Sequence, residues 1–288
     1  MKIENIVENY LLEIRLKHSN GTYRFYKSHL KHFLNYASKL QIIDVNDVKA
    51  SVIVDYISHM KETCQNVTIN KNIGCLKRMF RDMKIDFPYL QQVQKLKERS
   101  KTFEALEMHD YMRIRKYIHE YPEVTTNGIY HKCFLALLAD TGARIQEIMN
   151  IEKKNVNFND GEILLTYTKT KEDRIVYFTE TSKPIIKKMM QVKTNHKYLL
   201  HNIDKNRQAN YDDIRYILKQ IKKQLKIKKM HPHMFRHTVA TYLIEAQMDL
   251  PSLMILLGHK NMETTKRYLH VSKKHVKKGY KDNMDKLN

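Results

Sequence analysis

Apolar side chains recur at helical spacing through the first part of the chain. They follow the i, i+3, i+4, i+7 pattern of amphipathic helices in four successive stretches, residues 7–14, 26–37, 53–60 and 69–80. The break Ser19-Asn20-Gly21 separates the first two stretches. This pattern predicts a small bundle of amphipathic helices at the N-terminus.

A polar stretch follows this predicted bundle. Residues 91–102, QQVQKLKERSKT, carry charged and amide side chains but few apolar ones, which is typical of a linker between domains. We therefore expect an N-terminal helical domain over residues 1–95, a linker over 96–104 and a second domain over 105–288.

The second domain has a helical pattern with one interruption. Residues 162–168 and 174–179 are rich in β-branched, aromatic and other apolar side chains, and they flank the polar turn KTKED. This arrangement predicts a β-hairpin. Because helical patterning returns from about Lys183, we expect a mainly α protein whose second domain contains a small antiparallel sheet.

Charge then restricts the choice of partner. The 288 residues include 52 Lys and Arg against 31 Asp and Glu, a net charge of +21. Such an excess favours a polyanion such as nucleic acid, although a basic protein without that partner stays an alternative. The chain has no apolar run of the ~18 residues that span a membrane, no signal-peptide core and no paired cysteine motif. We therefore expect a cytoplasmic protein.

Three short motifs carry candidate chemistry. In TGARIQE, Gly142 permits a tight turn and Arg144 stands three residues before Glu147 at a helix start, where an arginine held by a carboxylate can bind phosphate. An ordinary ion pair is the alternative. In HPHMFRH, His233 and Arg236 lie about 60° apart on one helix face. The nearby His237 raises the alternative of a metal site, but no H-E-x-x-H motif or cysteine pair accompanies it.

The third motif is LLGHKNMETTKRYLH. Gly258 is suited to end a helix that starts near Pro251, and Asn261 can cap the next helix. This places His259 in the turn between them and Tyr268 about two turns into the following helix. A phenol keeps its proton until about pH 10, so a reactive tyrosine would need the other candidate residues.

Together these motifs resemble those of the tyrosine recombinase (phage integrase) family, including its Xer and integrase-like members. T-G-x-R-x-x-E, H-x-x-R-H, and L-G-H followed by tyrosine nine residues after the histidine are family motifs, present here in family order. The family places a lysine in a hairpin turn between the first two motifs, where this chain has Lys169. The motifs fall within residues 105–275, while residues 1–95 agree in size and helical pattern.

The resemblance implies a SAM-like core-binding domain joined to a mostly helical catalytic domain, which together form a clamp around DNA. It implies a site-specific recombinase that needs no cofactor or metal. Such an enzyme cuts and rejoins double-stranded DNA through a 3′-phosphotyrosyl intermediate on a homo-tetramer. The setting would be integration or excision of a mobile element, or resolution of replicon dimers.

The resemblance also assigns roles to individual residues. Arg144 and Arg236 would clamp the nonbridging phosphate oxygens, and His259 would donate a hydrogen bond to one of them. His233 would bond the phosphate or accept the proton of the nucleophile Tyr268.

Two further residues have supporting roles under the same resemblance. Lys169 would protonate the departing 5′-oxygen, and Glu147 would brace Arg144 or His233. The turn TKTKEDR lacks the glycine common around that lysine in relatives, so Lys171 competes with Lys169.

Several alternatives stay open. A type IB-like topoisomerase uses the same chemistry without a partner duplex, and a non-catalytic DNA-binding protein could share the fold. Tyr280 is the nearest alternative nucleophile. We expect the lysine-rich tail, residues 275–288, to form a helix that docks on a neighbouring protomer.

Overall fold

A computed structural model of the chain describes residues 1–98, 104–120, 126–166, 172–193, 196–202, 205–266 and 268. The chain divides into two compact units, Met1–Lys101 and Thr102–Asn288. The two lysines of the hairpin turn, Lys169 and Lys171, lie outside the described residues, as do Tyr280 and the rest of the tail.

The first unit is the predicted helical bundle. Ser19 caps the second helix of this bundle, because the Ser19 side chain accepts a hydrogen bond from the Thr22 N–H (3.3 Å). The apolar stripes face one another in a common core that includes Ile6, Phe33 and Leu76. The helices are α1 (Ile3–Lys17), α2 (Asn20–Lys39), α3 (Ala50–Thr63), α4 (Asn66–Asp82) and α5 (Pro88–Gln92).

The chain leaves this bundle along α4. Asn70 exchanges two hydrogen bonds with the backbone of Leu96, each 2.9 Å long, and Asn66 Nδ2 donates to the Lys97 carbonyl (2.8 Å). The described start of the predicted linker is therefore held against α4 by side-chain amides.

The second unit is built around one buried helix. The second half of the helix α7 (Thr126–Thr141) contains the run FLALLA, which is apolar on all sides, and such a helix is stable only when it is buried on all sides. It packs against four other helices, namely α6 (Met108–Glu120), α8 (Ile145–Met149), α9 (Lys183–Gln191) and α11 (Pro232–Glu245). No helix in the described part of the chain is both long enough and apolar enough to cross a membrane. The helices are α6 (Met108–Glu120), α7 (Thr126–Thr141), α8 (Ile145–Met149), α9 (Lys183–Gln191), α10 (Tyr211–Gln224), α11 (Pro232–Glu245), α12 (Leu250–Leu257) and α13 (Met262–Lys266).

The predicted hairpin is confirmed as part of a small antiparallel sheet. The strands β1 (Val156–Asn157), β2 (Glu162–Leu165) and β3 (Arg174–Tyr177) lie in that order, with Leu165 opposite Arg174. Buried and exposed side chains alternate along β3, so Arg174 and Val176 share the inward face.

A second antiparallel pair was not predicted. It consists of β4 (His201–Asn202) and β5 (Arg207–Gln208). Strands of two residues are too short to show alternation in the sequence, which explains the omission. The overall prediction of a mainly helical protein with a small antiparallel sheet is confirmed.

Candidate active site

A glycine turn places Arg144 at the start of α8. Gly142 has φ +57°, a left-handed conformation that suits glycine, and a Cβ there would lie 3.2 Å from Val239. The Arg144 backbone N–H donates to Glu147 Oε2 (2.7 Å), and Nη1 of the Arg144 side chain donates to Glu147 Oε1 (3.0 Å). Glu147 therefore fixes both the main chain and the side chain of Arg144, which is one of its two predicted partners.

Glu147 also binds an arginine that was not predicted to lie in the site. Nη1 and Nη2 of Arg174 donate to the two carboxylate oxygens (2.9 and 2.6 Å), and the paired side chains are 6% and 2% exposed. Burial by itself would raise the pKa of Glu147. The hydrogen bonds and charge of Arg174, with the bonds from Arg144, outweigh burial and lower that pKa below its usual value.

A second glycine turn brings both arginines together. Gly258 follows α12 with φ 63° and ψ 51°, as predicted for a helix-ending glycine. Its carbonyl accepts from Arg144 Nη2 (3.1 Å), and a Cβ on it would lie 3.1 Å from Arg174 Cδ, Nε and Cζ. A larger residue would thus push Arg174 away from Glu147.

Arg236 connects the same two turns. It lies on α11, is 5% exposed, and donates to the carbonyls of Gly142 (3.0 Å) and Leu257 (2.6 Å). Burial, followed by the charge of Arg144, lowers the pKa of Arg236 to about 10, so the guanidinium stays charged at neutral pH.

These groups leave an excess of positive charge. Among the residues that the structure describes, Glu147 is the one carboxylate bonded to Arg144 and Arg174, and Arg236 bonds to carbonyls and a histidine instead. Three guanidinium groups thus face one carboxylate in a largely buried place. An anion with several acceptor oxygens, such as a phosphodiester, would balance this charge.

His259 is linked to Arg236 and to a buried threonine. Its Nε2 lies 2.8 Å from Arg236 Nη2, and its Nδ1 lies 2.7 Å from Thr265 Oγ1. A guanidinium can only donate, so Nε2 accepts, and Nδ1 carries the hydrogen that Thr265 receives. Burial, then the charges of Arg236, Arg144 and other neighbours, lower the pKa of His259 to about 4, in agreement with a neutral ring.

Tyr268 lies in a turn rather than on the helix predicted for it. The described part of α13 ends at Lys266, and the Tyr268 N–H donates to the Thr265 carbonyl (3.0 Å), three residues earlier rather than four. The Tyr268 side chain is 3% exposed. It belongs to a small apolar cluster of α11 and α12 side chains, namely Ala240, Ile244, Leu253 and Leu257.

The Tyr268 hydroxyl contacts a histidine that sequence reasoning considered only as a metal ligand. His237 Nδ1 lies 2.9 Å from Tyr268 Oη. The His259 ring is parallel to the tyrosine ring, with centroids 6.4 Å apart. In the sequence, the one indication that His237 belongs to the site is its position directly after Arg236.

His233 lies at the surface, close to the arginines of the site. His233 is exposed on the first turn of α11, and desolvation and the charges of His231, Arg236 and Arg144 lower its pKa. Lys169 and Lys171 lie outside the described residues. Glu172, in the described end of that turn, pairs with Lys260 (3.0 Å), which directly follows His259.

Comparison with known sequences gives a family for both units. Residues 104–275 match the sequence model of the Phage integrase family, and residues 3–84 match that of the Phage integrase SAM-like domain, as predicted for the N-terminal unit. A probable integrase/recombinase of Acholeplasma phage L2 is 27% identical over 289 residues, 98% of this chain and 97% of that protein. Tyrosine recombinase XerC of Staphylococcus epidermidis is 28% identical, over 94% of this chain and 93% of that protein.

A solved structure shares the fold. The XerH site-specific recombinase, bound to palindromic difH substrate in a post-cleavage complex, matches with a TM-score of 0.76. The match covers 96% of this chain and 83% of that chain at 16% sequence identity. At this identity the likeness concerns the fold alone.

The buried pair of Glu147 and Arg174 leads to a stability prediction. Arg174→Ala should lower the free energy of unfolding by about 3–5 kcal/mol, because it leaves a buried carboxylate with one arginine fewer. Arg174→Lys should recover only part of this loss, since an ammonium cannot bond both carboxylate oxygens in parallel. Urea denaturation of the purified protein measures both changes.

The matched control is an ion pair at the surface. Lys197 pairs with Glu152 (2.6 Å), but its side chain is 63% exposed. Lys197→Ala should therefore change the free energy of unfolding much less than Arg174→Ala. Equal effects of the two substitutions would contradict the structural importance assigned to Arg174.

Proposed function

This chain belongs to the phage integrase family and is a tyrosine-type site-specific recombinase, and we propose that it cuts and rejoins double-stranded DNA through Tyr268. The observation that carries this proposal is the pair Arg144 and Arg236, charged and anchored beside a buried tyrosine. The net charge of +21 supports a polyanionic substrate.

Arg144 and Arg236 bind the phosphodiester. Their guanidinium groups are already oriented by the carbonyls of Gly142, Leu257 and Gly258. In phosphoryl transfer the negative charge lies on the nonbridging oxygens, and fixed donors stabilise it without reorganising. The two arginines thereby supply the charge stabilisation that metal ions supply in many other phosphoryl-transfer enzymes.

His259 becomes a donor when the phosphate arrives. A phosphate oxygen takes over the Nη2 hydrogen of Arg236, which frees His259 Nε2 from its role as acceptor. The Thr265 hydroxyl can either accept or donate, so it can reverse its bond and support the tautomer with hydrogen on Nε2. His233, exposed beside the two arginines, bonds the phosphate from the solvent side.

A lysine of the hairpin turn completes the reaction. Oη of Tyr268 bonds to phosphorus, the bond to the 5′-oxygen breaks, and that oxygen takes a proton from Lys169 or its competitor Lys171. The ion pair of Glu172 with Lys260 supports this assignment, because it links the described end of the turn to the residue that follows His259. The 3′-phosphotyrosyl bond conserves the energy needed for rejoining, so no nucleotide cofactor is required.

The proposed assembly is a homo-tetramer on two synapsed DNA duplexes. Integration or excision of a mobile element and resolution of replicon dimers both use this chemistry. Either setting is cytoplasmic. Sequencing the DNA that stays covalently attached to the protein in cells would identify the target site and so the setting. A topoisomerase, by contrast, would attach without a partner duplex and relax supercoils at many sequences.

The first prediction concerns the nucleophile. Tyr268→Phe removes only the hydroxyl and leaves the ring to pack among Ala240, Leu253 and their neighbours. It should bind a DNA half-site as the unaltered protein does, but form no covalent adduct on a nicked suicide substrate. The adduct is measured by denaturing electrophoresis. An adduct in this variant would move the role to another tyrosine, and Tyr280→Phe serves as the control.

A second prediction follows from the packing of Tyr268 against its own α11 and α12. Each subunit should cleave with its own tyrosine, because the ring fills an apolar site in the chain that carries it. A mixture of Tyr268→Phe and Arg236→Ala proteins should therefore form no adduct. A mixture of unaltered protein with Tyr268→Phe should form one.

Different size tags on the two variants make this test decisive. If a neighbouring subunit supplied the tyrosine, the Arg236→Ala protein would become attached to DNA in the first mixture. Cooperative unfolding of each variant alone, measured beforehand, shows that both are folded.

The third prediction identifies the general acid. An alkoxide is a poor leaving group, since its conjugate acid has a pKa near that of water, about 15.7. A thiol has a pKa of about 8.5, so sulfur in place of the bridging 5′-oxygen leaves with little protonation. If Lys169 is the acid, Lys169→Ala should cleave normal DNA very slowly and the sulfur substrate nearly as fast as the unaltered protein.

Two variants serve as controls for the sulfur substrate. Lys171→Ala should show a small defect that sulfur does not relieve, and the reverse pattern would assign the acid to Lys171. Arg144→Ala should stay slow on both substrates, because the nonbridging oxygens need a clamp whichever atom leaves. Rescue of neither lysine variant would exclude both residues as the acid.

A further inference from the structure

The proton of the nucleophile needs an acceptor, and the structure places one against it. A phenol carries its proton until about pH 10, so Tyr268 must lose this proton as its oxygen bonds to phosphorus. His237 lies within hydrogen-bond reach of Oη, with its Nδ1 2.9 Å away. The two rings lie 5.7 Å apart between centroids, at 48° to each other.

The positions of both partners are fixed by packing. Tyr268 is buried in the apolar cluster between α11 and α12, which orients its hydroxyl toward the first half of α11. His237 is half-buried there and follows Arg236 directly. Tyr268 is also among the groups that act electrostatically on Arg236, so the phenol lies close to the proposed phosphate clamp.

We propose that His237 is a catalytic residue that accepts the Tyr268 proton during strand cleavage. Oη forms the bond to phosphorus as its proton passes to Nδ1 of the neutral imidazole, which becomes an imidazolium. The bond from phosphorus to the 5′-oxygen breaks, and the general acid of the turn protonates that oxygen. Rejoining runs these transfers in reverse, so His237 returns the proton to the departing tyrosine.

Local charge makes this transfer depend on bound DNA. Burial and then the charges of His233, Arg236 and His231 lower the pKa of His237 to about 4. The ring is therefore neutral and can accept a hydrogen bond, but it is a weak base. A phosphodiester beside Arg236 adds negative charge nearby and stabilises the imidazolium, most strongly when phosphorus carries its additional oxygen. Bound substrate thus makes the transfer of the proton to His237 more favourable.

This inference rests on the proposed function, and it settles which histidine takes the proton. His233 stands one turn earlier on α11 and is exposed, which suits a bond to the phosphate from solvent. His237, in contrast, has a ring nitrogen 2.9 Å from the Tyr268 hydroxyl. The two residues therefore have different expected responses to substitution.

The test uses variants that separate accepting a hydrogen bond from accepting a proton. In His237→Asn the side-chain oxygen lies close to the former position of Nδ1 and can accept the phenol hydrogen bond, but it cannot take the proton. We expect single-turnover adduct formation with saturating nicked DNA to slow by about 10²–10⁴-fold. His237→Ala should be slowed at least as much, while half-site binding by both variants is unchanged.

A fluorinated tyrosine at position 268 provides the second measurement. Fluorine lowers the phenol pKa, so less help from a base is needed. The chain contains 18 tyrosines, so the analogue must be installed at this position alone. We expect it to accelerate His237→Asn more than the unaltered protein. His233→Asn, the matched control on the same helix, should gain no more than the unaltered protein.

Three results would overturn the proposal. His237→Asn could cleave at the unaltered rate, the fluorinated tyrosine could give it no extra gain, or the extra gain could occur in His233→Asn instead. Rate constants are read separately from the final amount of adduct, so partial loss of folded protein does not change the comparison. Failure of the proposed function itself looks different, because Tyr268→Phe would then form an adduct or the unaltered protein would form none.

Discussion

The carboxylate of Glu147 between Arg144 and Arg174 is the interaction on which the rest of the site depends. It joins the start of α8, the inward face of β3 and the turn after α12, which are far apart in the sequence. The carboxylate is buried, so the loss of either arginine would leave a charge poorly compensated away from water. Without Glu147 the guanidinium groups would repel one another at short range. One carboxylate therefore sets the positions of groups contributed by three elements.

Helix ends supply the remaining stabilisation of positive charge. The carbonyls of Gly142, Leu257 and Gly258 follow or end α7 and α12, where helical carbonyls lack partners and carry partial negative charge. They orient Arg236 and Arg144 but leave both guanidinium groups charged, whereas a second carboxylate would neutralise that charge. Both turns contain a left-handed glycine, where a Cβ would meet Val239 at Gly142 and the Arg174 side chain at Gly258. The arrangement also leaves net charge for a phosphate to balance.

Local patterns predicted most of the fold, and contacts between distant segments account for what they missed. Helical periodicity and the polar hairpin turn depend on neighbouring residues, so both could be read directly. In the sequence Arg174 is only the last residue of TKTKEDR, although alternation along β3 places it on the inward face with Val176. A charged residue at an inward-facing strand position implies a buried partner of opposite charge, so the sequence did carry a signal for Arg174.

Other parts of the site had no local signal. The contact of His237 with Tyr268 joins residues 31 positions apart, and helical spacing on α11 says nothing about it. The turn at Tyr268 likewise differs from the longer helix that the local sequence predicts, and the Tyr268 side chain packs against α11 and α12. The motifs identified the residues whose proposed chemistry requires one particular type of side chain.

The hydrogen bonds and charges around His259 and His237 oppose reaction. His259 uses Nε2 as an acceptor from Arg236, and it cannot donate from that atom until the bond is released. Burial and nearby positive charge keep both His259 and His237 neutral, with pKa values of about 4. The charge of Arg236 contributes to all three conditions. A single phosphodiester would therefore occupy the arginines, release Nε2 and strengthen the base at Tyr268 together, so substrate binding itself would assemble the reactive state.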